Sequence, residues 1–204
     1  MFFNRHLIVA AGLLLLNACA TINPPPISQS KTSIVNHQQH LAKLAEIKGF
    51  ELKGRLGVVT QKQGFSGGID WQHAANTDNV DVYSPVGGKV ANINKDATGV
   101  TLTKQDGQKM HAQDAESLTE TVLGFKLPLS GLSDWALGKP TASNIVNSTW
   151  DENGRLLTLK QEGWDISYEN YAENNGVFLP NKIVLKSEKV NLKLIVEKWI
   201  NISK

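Results

Sequence analysis

Residues 50–58 read Phe-Glu-Leu-Lys-Gly-Arg-Leu-Gly-Val, and their alternation sets the architecture. Phe50, Leu52, Leu56 and Val58 fall on one side of an extended chain, with Glu51, Lys53 and Arg55 on the other, because successive strand side chains point to opposite faces. A strand with one apolar and one wet face belongs to an antiparallel sheet covered on a single side. The period of two continues through Phe65, Gly67, Ile69 and Trp71, then Val80 and Val82, Val90 to Ile93, and Val100 with Leu102. Asp106-Gly107 is a tight hairpin signal ahead of Lys109 to Ala112. Past Asn153-Gly154, which joins two strands, Trp164, Ile166 and Tyr168 face one way. After Leu179-Pro180 come Ile183 and Leu185, then Val190, Leu192, Leu194 and Val196. About ten or eleven short strands are expected.

Helical spacing interrupts this pattern three times. Ser33 is the expected N-cap of a first helix, with Ile34, His37, Leu41 and Leu44 on one stripe and Gly49 as its stop. A second starts near Asp114, carries Ala115, Leu118 and Val122 inward, and closes at Gly124. A short third runs over Leu132 to Leu137, bounded by Gly138 and Pro140. An open sheet of so many strands curls, and helices on its concave side would cover the apolar face. The expected fold is mainly β with helices (α+β), a single domain over residues 33–204.

The whole chain of 204 residues is 41% apolar and 20% charged, which supports one packed domain and excludes a disordered or collagenous chain. The formal charge of +2 comes from interspersed basic and acidic residues, so no stripe for nucleic acid is present. One cysteine cannot make an internal disulfide.

Catalytic patterns are missing from the reading. His37 and His40 stand three apart on the first helix without an HExxH motif, and they read as a partly exposed helix face. Gly64-Phe65-Ser66-Gly67-Gly68 is read as placing its glycine one residue too early for a nucleophile elbow. Asp70 and Asp81 fall at outward positions and read as surface charges, not a catalytic carboxylate pair. There is no phosphate loop. No enzyme, metal site or cofactor is expected. One turn is unusual: Tyr83-Ser84-Pro85-Val86-Gly87-Gly88 places an apolar residue where a polar tip belongs. Val86 either folds back on the core or stands out as an apolar finger held by Pro85 and the Gly87-Gly88 pair.

Residues 1–18 carry Arg5 and then the apolar run Leu7 to Leu16, the form of a secretory signal. Ten residues reach about 15 Å as a helix, half of a ~30 Å bilayer core, too short to span it. Leu16-Asn17-Ala18-Cys19 resembles the bacterial lipobox, which implies cleavage before Cys19 and a diacylglycerol and an N-acyl chain on that residue. Ala20, in place of the Asp that retains such proteins at the inner membrane, implies the outer membrane. Residues 19–32, with Pro24-Pro25-Pro26, form a stiff tether.

The ordered set Gly54-Arg55-Leu56, Ile69-Asp70-Trp71, Ser84-Pro85-Val86-Gly87, Asp114-Ala115-Glu116, Leu127-Pro128-Leu129, Trp135-Ala136-Leu137-Gly138, Gln161-Glu162-Gly163-Trp164, Leu179-Pro180 and Trp199 resembles the outer-membrane lipoprotein LolB family over essentially the whole mature chain. The resemblance implies an incomplete antiparallel β-barrel enclosing an apolar cavity covered by helices. It implies a protein that accepts acylated lipoproteins from a soluble periplasmic carrier and inserts them into the inner leaflet of the outer membrane, as a monomer and without nucleotide. The membrane-contacting loop would be Pro85, Val86, Gly87 and Gly88, with Val86 where relatives carry Leu; Ile34 stands where relatives often carry Trp. Acyl-cavity candidates are Leu52, Leu56, Ile69, Trp71, Val82, Trp164, Ile166 and Leu194. The alternative is a lipid-tethered structural or assembly lipoprotein with a packed barrel and no acyl cavity.

Overall fold

A computed structural model describes residues 30–62, 64–123 and 129–204. The signal segment, Cys19, the proline run, the expected helix stop at Gly124 and Leu127-Pro128 lie outside them. Helix α1 (Lys31–Ala45) leads into strands β1 (Gly49–Thr60), β2 (Gly64–Ala74), β3 (Thr77–Tyr83), β4 (Lys89–Asp96), β5 (Gly99–Lys104) and β6 (Lys109–Ala112). Helices α2 (Ala115–Leu123) and α3 (Leu129–Ala136) follow, and then β7 (Ile145–Trp150), β8 (Leu156–Gln161), β9 (Trp164–Asn174), β10 (Val177–Lys186) and β11 (Val190–Ser203).

The eleven strands form one sheet in the order β6-β5-β4-β3-β2-β1-β11-β10-β9-β8-β7, with every neighbouring pair antiparallel. Two hairpin meanders therefore run outward from a central pair made of the first and last strands. The sheet stays open, with β6 and β7 as its edges. Because α2 and α3 connect those two edges, they must cross the sheet, and α2 packs on β5 and β6 while touching α3. This is an α+β half-barrel with helices inside its curve.

Strand parity holds as the alternation requires: Phe50, Leu52, Ile69, Trp71, Ile183, Leu192 and Leu194 are buried. The buried apolar residues fall into two clusters. The larger gathers β1, β2, β8–β11, α1 and α3; the smaller holds Val100, Leu102, Ala115 and Leu118 between β5 and α2.

Helix α1 departs from the expected detail. Ser30, not Ser33, is the N-cap, and its hydroxyl accepts from the Ser33 amide at 3.1 Å while the Ser33 hydroxyl donates back to the Ser30 carbonyl at 3.0 Å. That reciprocal pair satisfies end groups one turn earlier. The helix ends at Ala45, and Gly49 is the first residue of β1. The buried stripe turns to Ser33, His40 and Leu44, leaving Ile34 40% exposed. The cause lies across the fold: the His37 ring stacks on Trp150 at 4.1 Å, its Nδ1 donates to the Gly154 carbonyl at 2.7 Å, and Asn36 donates to the Glu152 carbonyl at 2.8 Å. His40 is buried beside Tyr171, not on an exposed face. Burial, then the charges of His37 and Arg155, push its pKa down to about 4.

Two consequences can be measured. Gly154 has φ +80°, and a Cβ there would fall on the backbone of Asn36 and His37, so Gly154→Ala should cost about 3 kcal/mol through strain and displacement of α1. Urea unfolding checks this. His40 stays neutral in the fold while its unfolded form takes a proton near pH 6.5, so its contribution is complete above pH 7 and is lost as pH falls towards 4. Urea midpoints at pH 7.5 and 5.5 should differ less in His40→Leu than in the parent chain.

Candidate functional site

Between the two apolar clusters the side chains leave a cavity of about 160 Å³. Its floor is the inward face of β1, β2, β3, β4, β5, β10 and β11, and its roof comes from Ala115 and Thr119 of α2 and Leu132, Trp135 and Ala136 of α3. The surface it presents is almost entirely carbon. Among the expected residues, Leu56, Ile69, Trp71, Val82 and Leu194 border it. Leu52, Trp164 and Ile166 do not; they sit in the larger cluster, where Trp164 lies 6.5 Å from Trp135. Parity placed all eight on the inward face, but depth along the strand decides which of them meets the void. Val58, Val80, Val100, Leu185 and Leu192 also line it. Their inward parity was legible in the sequence, as was the inward stripe of Ala115; Thr119 carried no such signal.

The roof is pinned by one buried side chain. Gln161 accepts from Trp135 Nε1 and from the Thr141 amide, each at 3.0 Å, and donates to the Thr141 and Ser143 carbonyls at 3.2 and 2.8 Å. All its amide capacity is used. On the floor, Trp71 Nε1 donates to Asp78 at 2.9 Å, His73 Nδ1 lies 2.7 Å from the same carboxylate, and Lys95 lies 3.6 Å from its other oxygen. Burial by itself would raise the Asp78 pKa. The hydrogen bonds from His73 and Trp71, helped by the charges of His73 and Lys95, outweigh it and hold it below the usual range. The indole is thereby fixed in the wall with its N–H satisfied.

The turn after β3 closes tightly. The Ser84 amide donates to the Gly88 carbonyl at 2.8 Å and the Gly87 amide to the Ser84 carbonyl at 2.9 Å, with Gly87 at φ +92°. Val86 is 94% exposed at the tip, so the finger stands out and does not fold back.

Other expected groups fall elsewhere. Asp70 and Asp81 are cross-strand partners, paired with Lys53 at 2.6 Å and Lys89 at 2.8 Å. Gly64–Gly68 does fit Gly-x-Ser-x-Gly spacing, but it runs along β2 with Ser66 exposed and has no strand-to-helix turn. No group of three potential metal-binding side chains exists among the described residues. No helix among them is long and apolar enough to cross a membrane.

The described architecture matches known proteins. The profile of the family "Outer membrane lipoprotein LolB" matches residues 48–199. The chain belongs to the LolB family. It is 36% identical to an outer-membrane lipoprotein LolB of Nitrosomonas europaea over 92% of this chain and 88% of that one, and 32% identical to one of Thiobacillus denitrificans over 96% and 97%. A Pseudomonas syringae member is 29% identical over 97% and 96%. Among solved structures, a LolA-superfamily protein of Nitrosomonas europaea superposes with a TM-score of 0.51 at 11% identity, covering 80% of this chain and 92% of that one, which shows a shared fold. As a LolB-family member, the chain is a lipid-anchored protein of the outer membrane.

The cavity of about 160 Å³ opens in part to solvent and has room for added side-chain volume. Val82→Phe, which adds volume to the void, should therefore keep or raise the urea midpoint while reducing binding of a fluorescent fatty acid at least tenfold. A parallel fall of both would show that the void is ordinary core.

Proposed function

We propose that this protein takes acylated lipoproteins from a soluble periplasmic carrier and inserts them into the inner leaflet of the outer membrane. The observation that carries the reading is the carbon-lined cavity under a helical roof. A void near 150 Å³ holds a benzene-sized guest, so an acyl chain enters by lifting α2 and α3 from the curved face. Gln161 ties the α3 end of the roof, and α2 packs on β5 and β6 around Ala115 and Leu118.

Transfer needs no bond chemistry. Cargo chains pass from carrier to cavity to bilayer, each step favourable if the cavity binds them better than the carrier and worse than lipid. A cavity without polar anchors suits that intermediate place, because it grips by apolar contact alone and releases without leaving a buried donor unpaired. Lipid chains on Cys19 hold the protein at the leaflet, since more than one acyl chain gives stable attachment. Val86 adds about 1.5 kcal/mol on entering lipid, a bias for a tethered protein rather than an anchor. The relatives named above are named as lipoproteins, not as enzymes, and the protein acts as a monomeric binding and transfer module.

The test uses the chain from residue 19 with Cys19→Ala and a carrier loaded with acylated cargo. Cargo should co-purify with this chain after mixing, and Val86→Glu should accept it normally but release it to vesicles at least tenfold more slowly. Cargo that stays on the carrier, with the chain folded, refutes acceptance and favours a structural lipoprotein. Normal release by Val86→Glu refutes the finger's role.

A further inference from the structure

In an antiparallel meander every second turn comes to the same end of the sheet, and the end that carries Val86 has a consistent chemistry. The turns β1–β2, β3–β4, β5–β6 and β10–β11 all lie there, because Thr60 of β1 pairs with Val190 of β11. Successive turns along this edge stand about 10 Å apart, two strand spacings. Lys62 belongs to the first, Val86 to the second, Lys104 and Lys109 flank the third, and Lys186 and Lys189 flank the fourth. All five lysines are exposed, and none takes part in an ion pair among the described residues. Lys104 donates only to Gln108, at 2.8 Å. The acids at these turns are Asp106, which accepts from the Gln108 amide in its own turn, and Glu188; the β8–β9 turn at the same end adds Glu162, which accepts from the Thr141 and Ser143 hydroxyls at 2.8 and 2.6 Å. Several other strand lysines are matched, Lys53 with Asp70, Lys89 with Asp81, Lys160 with Asp165 and Lys182 with Glu169, while Lys193 and Lys198 of β11 are exposed like the five. Exposed apolar side chains share the same end, with Val86 at 94%, Val59 at 56% and Phe65 at 36%.

We infer that this end is a docking face for anionic phospholipid headgroups, with Val86 entering the leaflet between flanking lysines that bind the phosphates. The inference deepens the proposed function by naming the lipid that the release step meets. A protein partner would leave the apolar tip unexplained unless it offered a matching pocket. A lipid surface accepts an apolar tip and a ring of ammonium groups together, since lysine stems cover apolar surface while the heads stay at the phosphates. Cys19 stands eleven positions before Ser30, a reach of about 36 Å when extended. That is comparable with the ~40 Å of the twelve-residue β1, which ends beside Lys62, so a fully extended tether brings this end to the leaflet. Each lysine near an anionic surface is worth about fivefold in affinity.

The experiment is vesicle sedimentation of the residue-19 chain with Cys19→Ala, using phosphatidylethanolamine vesicles with and without phosphatidylglycerol. The parent should bind the phosphatidylglycerol vesicles preferentially and lose that preference at 1 M salt, where the screening length falls to about 3 Å. The variant Lys62→Gln/Lys104→Gln/Lys109→Gln/Lys186→Gln/Lys189→Gln should bind them about 3,000-fold more weakly, while Lys43→Gln/Lys48→Gln binds as the parent does. Val86→Ser should weaken binding to both vesicle types alike. Equal binding of the parent to the two vesicle types, or full binding by the five-lysine variant, overturns the inference. If that variant sediments normally with vesicles but no longer takes cargo, the lysines face the carrier instead, and the inference is again overturned. Should the five-lysine chain fail to fold, Lys104→Gln/Lys109→Gln and the parent's salt dependence decide the matter. A parent that prefers phosphatidylglycerol yet takes no cargo would refute the transfer reading and leave this one standing.

Discussion

The pairing of β1 with β11 is the constraint on which the rest depends. It joins the first and last strands along nearly their whole length, from Gly49↔Ser203 to Thr60↔Val190. With both chain-terminal strands committed to the centre, the remaining strands can only add outward as hairpins, and the edges become β6 and β7. The segment between those edges has one short route, across the concave face. That route is why α2 and α3 form a roof rather than an outer layer. It also explains why the apolar interior divides in two, one cluster beneath α2 and another reaching α3 and α1.

The space between the clusters, about 160 Å³ and open in part to solvent, leaves inward apolar side chains without contacts that a closed core would give them. The surrounding structure bears that loss through ladders that continue on both sides of the centre and through polar groups satisfied at the cavity's boundary. Gln161 uses its whole amide to hold the end of α3, and Asp78 fixes the Trp71 indole in the floor. Both devices set the wall in place without placing a polar atom in the void.

Helix α1 shows the same economy at the opposite end from Val86. Its grip is a stacked ring pair, two side-chain bonds to a turn and a close approach that only a glycine at 154 permits. Together with the lysine-bearing turns at the other end, this gives the molecule two ends of different character. One is closed by a helix and an aromatic group around Phe50, Trp71 and Trp199. The other is exposed, basic and tipped by valine.

Much of this was written in the chain itself. Alternation at Phe50–Val58 and along β2, β9 and β11 determined strands, their inward faces and an antiparallel sheet, because side-chain parity is a local property. The motifs at Ser84–Gly87 and Trp135–Gly138 carried the family likeness, while the turn's sequence left open whether Val86 folds back, and the fold set it outward. Tertiary structure alone decided the rest. Parity gives a face but no depth, so Leu52, Trp164 and Ile166 went to core while Val58 and Leu192 met the void. The stripe of α1 shifted from Ile34 to His40 because Trp150 and Gly154, over a hundred residues away, fixed its rotation. The gathering of Lys62, Lys104, Lys109, Lys186 and Lys189 at one end is likewise invisible in a linear charge count, since it depends on strand order, and strand order is fixed only when the two ends of the chain meet.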